Sequence, residues 1–171
     1  MTNLLEDKTI LLGVTGSIAA YKAVDLASKL MKAGAQVDTI LTENAAQFVT
    51  PLTFRSITHR PVITNLFDLD SEDAIEHVAL SQRADILVVA PASAHTLAKL
   101  ALGLADNALT AVALATSAPL LVVPAMDANM WEHPTVQEHI RTIQSRGGYV
   151  AGPASGRLAS GLIGRGRMVE P

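Results

Sequence analysis

The sequence has 171 residues, of which 49% are apolar, 17% charged and 4% aromatic, with a formal net charge of −3 at pH 7. That length suits one domain with one core, and so apolar a composition excludes a disordered chain. Cysteine is absent, which removes disulfides, thiolate metal sites and thiol nucleophiles. A pI near 5.9 gives no general field for nucleic acid or an anionic membrane. No apolar run reaches about 18 residues, so nothing reads as a membrane span. Glu6 and Asp7 stand too close to the first apolar run for a secretory leader. The expectation is a cytoplasmic globular domain. Its mean hydropathy of +0.31 predicts surface buried against further copies of the chain.

Apolar runs alternate with helical patterns, the rhythm of an α/β domain built on a parallel sheet. Thr9 to Val14 reads as the first strand. From Ser17 onward Ala20, Ala23, Val24, Ala27, Leu30 and Met31 fall at helical spacing, and Gly34 closes that helix. Gln36 to Leu41 predicts the second strand, with Thr42 capping a short helix from Asn44, and Pro51 to Thr58 a further helix. An irregular stretch follows through Asp73. Ile86 to Ala90 is an apolar strand closed by Pro91, and Leu120 to Val123 another closed by Pro124. Between them, Leu97, Leu100, Ala101 and Leu104 share a helical face, and Ala108 to Ala115 predicts a second helix. Pro134 to Arg146 is helical with Val136, Ile140 and Ile143 inward, before a last short strand at Tyr149 to Ala151. Residues 152–171 differ in kind: Gly/Ser-rich, aperiodic, and carrying Arg157, Arg165 and Arg167. They read either as a frayed terminus or as a flap closing on an anionic ligand.

Chemistry gathers where strands end. Gly13-Val14-Thr15-Gly16-Ser17 joins a strand to a helix, where free N–H groups seat a phosphate. A tight turn with Ser17 as N-cap is the plainer reading of that loop. It lacks the dinucleotide fingerprint, and Glu43 lies too far on for a ribose-binding acid. Pro91-Ala92-Ser93-Ala94-His95-Thr96 puts hydroxyls and small residues at the next such junction. Pro124-Ala125-Met126-Asp127-Ala128-Asn129-Met130-Trp131 brings a carboxylate, an amide and two thioethers to another. With Thr42, four strand ends carry small polar groups, which points to one shared ligand cleft. None of the five histidines pairs at metal-ligand spacing, so no metal is expected. His77, in Ile75-Glu76-His77-Val78-Ala79-Leu80, is polar in an apolar setting. It reads as an active-site group or as a hydrogen-bonded packing residue.

Taken in order, five stretches carry a specific resemblance: Gly16-Ser17-Ile18-Ala19-Ala20-Tyr21-Lys22, His77, Pro91 to Thr96, Ala105-Asp106-Asn107 and Pro124 to Trp131. The tail adds Arg157-Leu158-Ala159-Ser160-Gly161 and Gly164-Arg165-Gly166-Arg167-Met168. From Ile10 to Pro171 the chain resembles the FMN-dependent cysteine decarboxylases, above all those acting on 4′-phosphopantothenoylcysteine in coenzyme A synthesis. The resemblance implies a single flavodoxin-like, doubly wound domain over residues 1–171, with 152–171 as a substrate flap. It further implies FMN held between subunits of a homotrimer or a multiple of trimers, with a synthetase as fused or separate partner.

Carried over residue by residue, the resemblance sets Gly16, Ser17, Ile18, Thr42, Ser93, Ala94, His95, Thr96 and Ala125 against FMN. His77 and Ser160 become the catalytic positions, and Asp127, Asn129, Met130 and Arg157 the substrate contacts. The implied chemistry oxidises the thiol-bearing carbon to a thioaldehyde, releases CO₂ to leave an enethiol, then returns hydride and a proton. Two residues depart from the family pattern. Asp127 stands where many members have asparagine, which implies a carboxyl held protonated by burial or a substrate carboxylate gripped by Asn129 or backbone. Ser160 stands where many have cysteine, and a hydroxyl is a far weaker acid than a thiol. That substitution keeps open an oxidative peptidyl-cysteine decarboxylase that releases the enethiol, beside a non-catalytic flavin-binding subunit.

Overall fold

Continuous burial along the apolar runs builds a parallel sheet with helices on both faces. In the computed structural model, which describes residues 4–66 and 76–171, β1 (Thr9–Val14), α1 (Ala20–Lys32) and β2 (Gln36–Leu41) follow the sequence reading. A 3-10 turn at Ala45–Gln47, α2 (Pro51–Thr58) and the short β3 (Val62–Ile63) come next. Part of the stretch read as irregular through Asp73 lies outside the described residues. Beyond it run α3 (Glu76–Arg83), β4 (Ile86–Ala92), α4 (Ala94–Leu102), α5 (Ala108–Ala115) and β5 (Leu120–Pro124). The body ends with α6 (Ala128–Glu132), α7 (Pro134–Ser145) and β6 (Tyr149–Val150).

The six strands lie in the order β3-β2-β1-β4-β5-β6 with every pairing parallel. This is a doubly wound α/β domain, and leaving out the two-residue β3 gives the flavodoxin-like order. The order reverses between β1 and β4, so a crevice opens at their carboxyl ends. Leu12, Val14, Leu87 and Val89 are fully buried, each contributing roughly 1.5–3 kcal/mol of burial. One face is covered by α1 and α2, the other by α3, α4, α5 and α7. Ala20, Ala23 and Ala27 bring α1 close to the sheet. Gly34 ends it at φ 97°, a left-handed conformation that favours glycine.

Two strand ends, one short helix and the tail correct the sequence reading. β4 continues through Pro91 to Ala92, and β5 includes Pro124. The register of β4 against β5 shifts between Val89 and Ala92, an irregularity of the kind that tolerates a residue without an N–H. Asp127 starts the short α6, which no apolar periodicity announces. The tail forms an antiparallel hairpin of β7 (Ala154–Arg157) and β8 (Ile163–Arg167).

Glycines seat that hairpin. A Cβ on Gly164 would stand 2.7 Å from Ala128 Cβ, and one on Gly166 would overlap the Met126 carbonyl. Met126 N–H donates to the Gly166 carbonyl at 3.0 Å. Arg165 lies over the Trp131 ring, 5.5 Å from its centre, a cation–π contact. Met168 is buried in the α1 face of the core.

Candidate active site

The carboxyl ends of β1, β2, β4 and β5 share one edge, which sets the four polar strand ends expected from the sequence along the same side of the sheet. Thr15 joins two of them. Its hydroxyl donates to the Pro91 carbonyl at 2.6 Å and accepts from Ser93 N–H at 3.0 Å. Ser93 caps α4 through Thr96 N–H, and Thr42 accepts from Ala45 N–H. Ala125 N–H donates to the Ala92 carbonyl at 3.1 Å. The β1–α1 turn is different. Among the described residues, the N–H groups of Gly16, Ser17 and Ile18 form no backbone hydrogen bond. Gly16 has no room for a side chain, since a Cβ would sit 2.5 Å from Asn44 Cβ.

A cavity of about 520 Å³ lies between this turn and the hairpin. Its wall includes Ser17, Ile18, Ala125, Asp127, Arg157 and Ser160, uniting residues assigned separately to cofactor, substrate and catalysis. Gly16, Thr42, Ser93, Ala94, His95, Thr96, Asn129 and Met130 lie outside that wall. His95 and Met130 are exposed, whereas Thr96 is buried. His77 is the second residue of α3, and its side chain lies outside the described residues.

Asp127 and Ser160, 33 residues apart, meet. Ser160 Oγ donates to Asp127 Oδ2 at 2.7 Å, and Asn129 N–H donates to Oδ1 at 3.1 Å. The Ser160 hydroxyl, then the Asn129 N–H, hold the Asp127 carboxyl below the usual carboxylate range. Asp127 is therefore an anion at neutral pH. Partial exposure and two donors overturn the expectation of a carboxyl kept protonated by burial.

Lys22 was not singled out from the sequence, although it belongs to the motif after Gly16. It is 5% exposed. Its Nζ donates to the Met168 carbonyl at 2.8 Å and to Glu170 at 2.7 Å. Glu170 also accepts from Arg167 at 2.9 Å. The Lys22 ammonium, foremost, holds the Glu170 carboxyl below its ordinary range. A lysine inside an alanine stripe was the available signal, because a buried cation needs partners from elsewhere. Among the described residues no group of three His, Cys, Asp or Glu converges as a metal site. No helix among them is long and apolar enough to cross a membrane.

The profile of the Flavoprotein family matches residues 2–171. The chain is 43% identical over 167 residues to the coenzyme A biosynthesis bifunctional protein CoaBC of Vibrio vulnificus strain YJ016, covering 98% of this chain and 42% of that protein. To the CoaBC of Bacillus subtilis strain 168 it is 42% identical over 168 residues, covering 98% and 41%. It thus spans less than half the length of these curated relatives. Among solved structures it is similar to a cysteine-to-serine mutant of PPC decarboxylase complexed with pantothenoylaminoethenethiol. That match has a TM-score of 0.84, 33% identity, and coverage of 95% of this chain and 91% of the other. The FMN-dependent cysteine decarboxylase SpaF matches at a TM-score of 0.82, 29% identity, and coverage of 97% and 91%. In sequence and fold alike, the chain belongs to the Flavoprotein family.

Proposed function

We propose that the chain is an FMN-dependent decarboxylase that converts 4′-phosphopantothenoylcysteine to 4′-phosphopantetheine in coenzyme A synthesis. The cavity carries this reading, because it faces an open β1–α1 turn with a hairpin bearing Arg157 and Ser160. Likeness to CoaBC proteins and to PPC decarboxylase supports the substrate, and likeness to an FMN-dependent decarboxylase supports the cofactor. In this reading residues 1–171 are one domain and 152–171 its substrate flap.

The residues fit FMN. Three N–H groups without backbone partners, that of the side-chain-free Gly16 among them, stand in the turn leading into α1, a helix of 13 residues. That is a phosphate seat. Gly16, Ser17 and Ile18 would hold the phosphate side, and Thr42, Ser93, Ala94, His95, Thr96 and Ala125 would make the further contacts to the group. When bound, FMN supplies a two-electron acceptor and donor for the thiol-bearing carbon. The chain's own groups bind, orient and move protons. His77 assists the oxidative half. The hairpin excludes water, with Asn129, Met130 and Arg157 at the substrate. Asp127, an anion tied to Ser160, fits no role as a grip on the substrate carboxylate.

A second reading has one specific support. The Ser160 proton is engaged by Asp127, which makes Ser160 a poor donor in the reductive half. An enzyme halted there releases an enethiol from a cysteine-ended peptide. Product mass separates the two readings. With 4′-phosphopantothenoylcysteine the expected product is 4′-phosphopantetheine, about two mass units above the enethiol. Enethiol alone, with flavin left reduced without air, supports the second reading. A colourless protein that takes up no FMN sinks both.

Self-association belongs to this reading too. Leu102, Leu104 and Leu114 are 66%, 51% and 64% exposed around Gly103, an apolar patch that supports a homotrimer or a multiple of trimers. Sedimentation of a monomer that still holds FMN tightly would contradict it.

A further inference from the structure

Three cations line the cavity: Lys22, Arg157 and Arg167. Lys22 is committed to the Met168 carbonyl and Glu170, and Arg167 to Glu170. Arg157 is exposed and, among the described residues, has no side-chain hydrogen-bond or ion-pair partner. The remaining charge on the wall is Asp127, with each carboxylate oxygen already accepting a hydrogen bond. Ser160 spends its one proton on Asp127, so it presents lone pairs to a ligand. The corner made by residues 127 and 160 therefore repels a carboxylate and offers it no hydroxyl proton.

We infer that Arg157 receives the carboxylate that the reaction expels, while Asp127 holds Ser160 as an acceptor beside it. This rests on the decarboxylase reading and adds a specificity-determining residue to it. A guanidinium presents two parallel N–H donors that match a carboxylate edge. The hairpin brings that group to the wall three residues before Ser160. The two departures from the family pattern then act as one unit. An anion introduced at 127 moves carboxylate recognition onto the flap.

The substrate also carries a phosphate, which a guanidinium binds equally well, so the test separates the two anions. Calorimetry on the FMN-loaded protein uses four ligands: 4′-phosphopantothenoylcysteine, pantothenoylcysteine, 4′-phosphopantetheine and pantetheine. The runs are anaerobic, with His77→Asn present in every protein to suppress turnover. Arg157→Gln should weaken both carboxylate-bearing ligands by about tenfold or more, the worth of a charged hydrogen bond. The two ligands without a carboxylate should bind within about twofold of the parent, which also certifies the fold. Arg157→Lys should recover part of the loss. Adding Asp127→Asn should shrink the Arg157→Gln penalty, because an amide donates to a carboxylate. A penalty that follows the phosphate, or falls equally on all four ligands, overturns the inference. If wild-type protein decarboxylates none of these compounds, the decarboxylase reading itself has failed.

Discussion

The strand-end edge and the C-terminal hairpin meet across one cavity, yet they spend their polar groups in opposite ways. At the edge, Thr15, Thr42 and Ser93 are engaged in bridging and capping, and the opening left to a ligand is a run of backbone N–H groups. In the hairpin, glycines do the packing and the side chains of Arg157 and Ser160 face the ligand space. The edge is a fixed seat, satisfied by the fold itself. The hairpin carries charge whose partners are partly supplied from outside. A site built this way holds one ligand statically and admits another in turn, the division expected of a resident cofactor and a consumed substrate.

The largest effect tests whether the chemistry lies outside both regions. His77→Asn should keep flavin colour and assembly but slow substrate-driven flavin bleaching by about 10²–10⁴-fold, the usual worth of a positioned acid–base group. Bleaching at the wild-type rate would leave His77 a packing residue. Next comes a matched pair of changes, one per region. Thr15→Val strands the Pro91 carbonyl and Ser93 N–H and should cost about 1–3 kcal/mol in urea unfolding. Its hairpin amides should exchange no faster below the unfolding transition. Gly166→Ala drives a methyl into the Met126 carbonyl and should cost a similar 1–3 kcal/mol. Here hairpin exchange should quicken and the substrate KM rise, while flavin is retained. Loss of flavin from Gly166→Ala would erase the distinction between seat and flap.

A smaller effect concerns Ser160. Ser160→Cys should reduce the share of enethiol among products severalfold, and Ser160→Ala should increase it. An unchanged share in both removes Ser160 from the reaction. The smallest is a pH effect. Asp85, Asp106, Asp127 and Glu170 all have depressed carboxyls. A depressed group contributes stability present above its unfolded value and lost as pH falls through its folded value. Stability should therefore hold above about pH 4 and decline below it. Asp127→Asn should remove part of that decline. A curve unchanged by the substitution would dismiss the Ser160 tie as a contributor.

Much of this was legible in the sequence. β1, β2 and α2 match their residue ranges because the sheet strands are near-continuous apolar runs and Pro51 marks a helix start. The strand-end motifs gave the edge for the same reason, since loop chemistry at a strand terminus is local. The hairpin was not legible as strands. Gly164 and Gly166 are there for close approach to α6 and its preceding turn, a requirement with no periodicity. The Asp127–Ser160 and Lys22–Glu170 pairs span 33 and 148 positions. Nothing local announces a contact at that range. Even the state of Asp127 followed from its donors, which the fold alone brings near.

Lys22 also orders events in time. Its ammonium is buried by a carbonyl 146 positions later in the chain, so the helix that carries it is complete long before its partner exists. During synthesis the sheet can collapse on α1 while this cation still points to water. Only after residue 170 emerges does desolvating Lys22 become favourable, and that step draws β8 across the strand ends. The cavity wall that Lys22 shares with Gly166, Arg167 and Met168 thus depends on residues made after the whole sheet, and a chain cut before them should lack that wall.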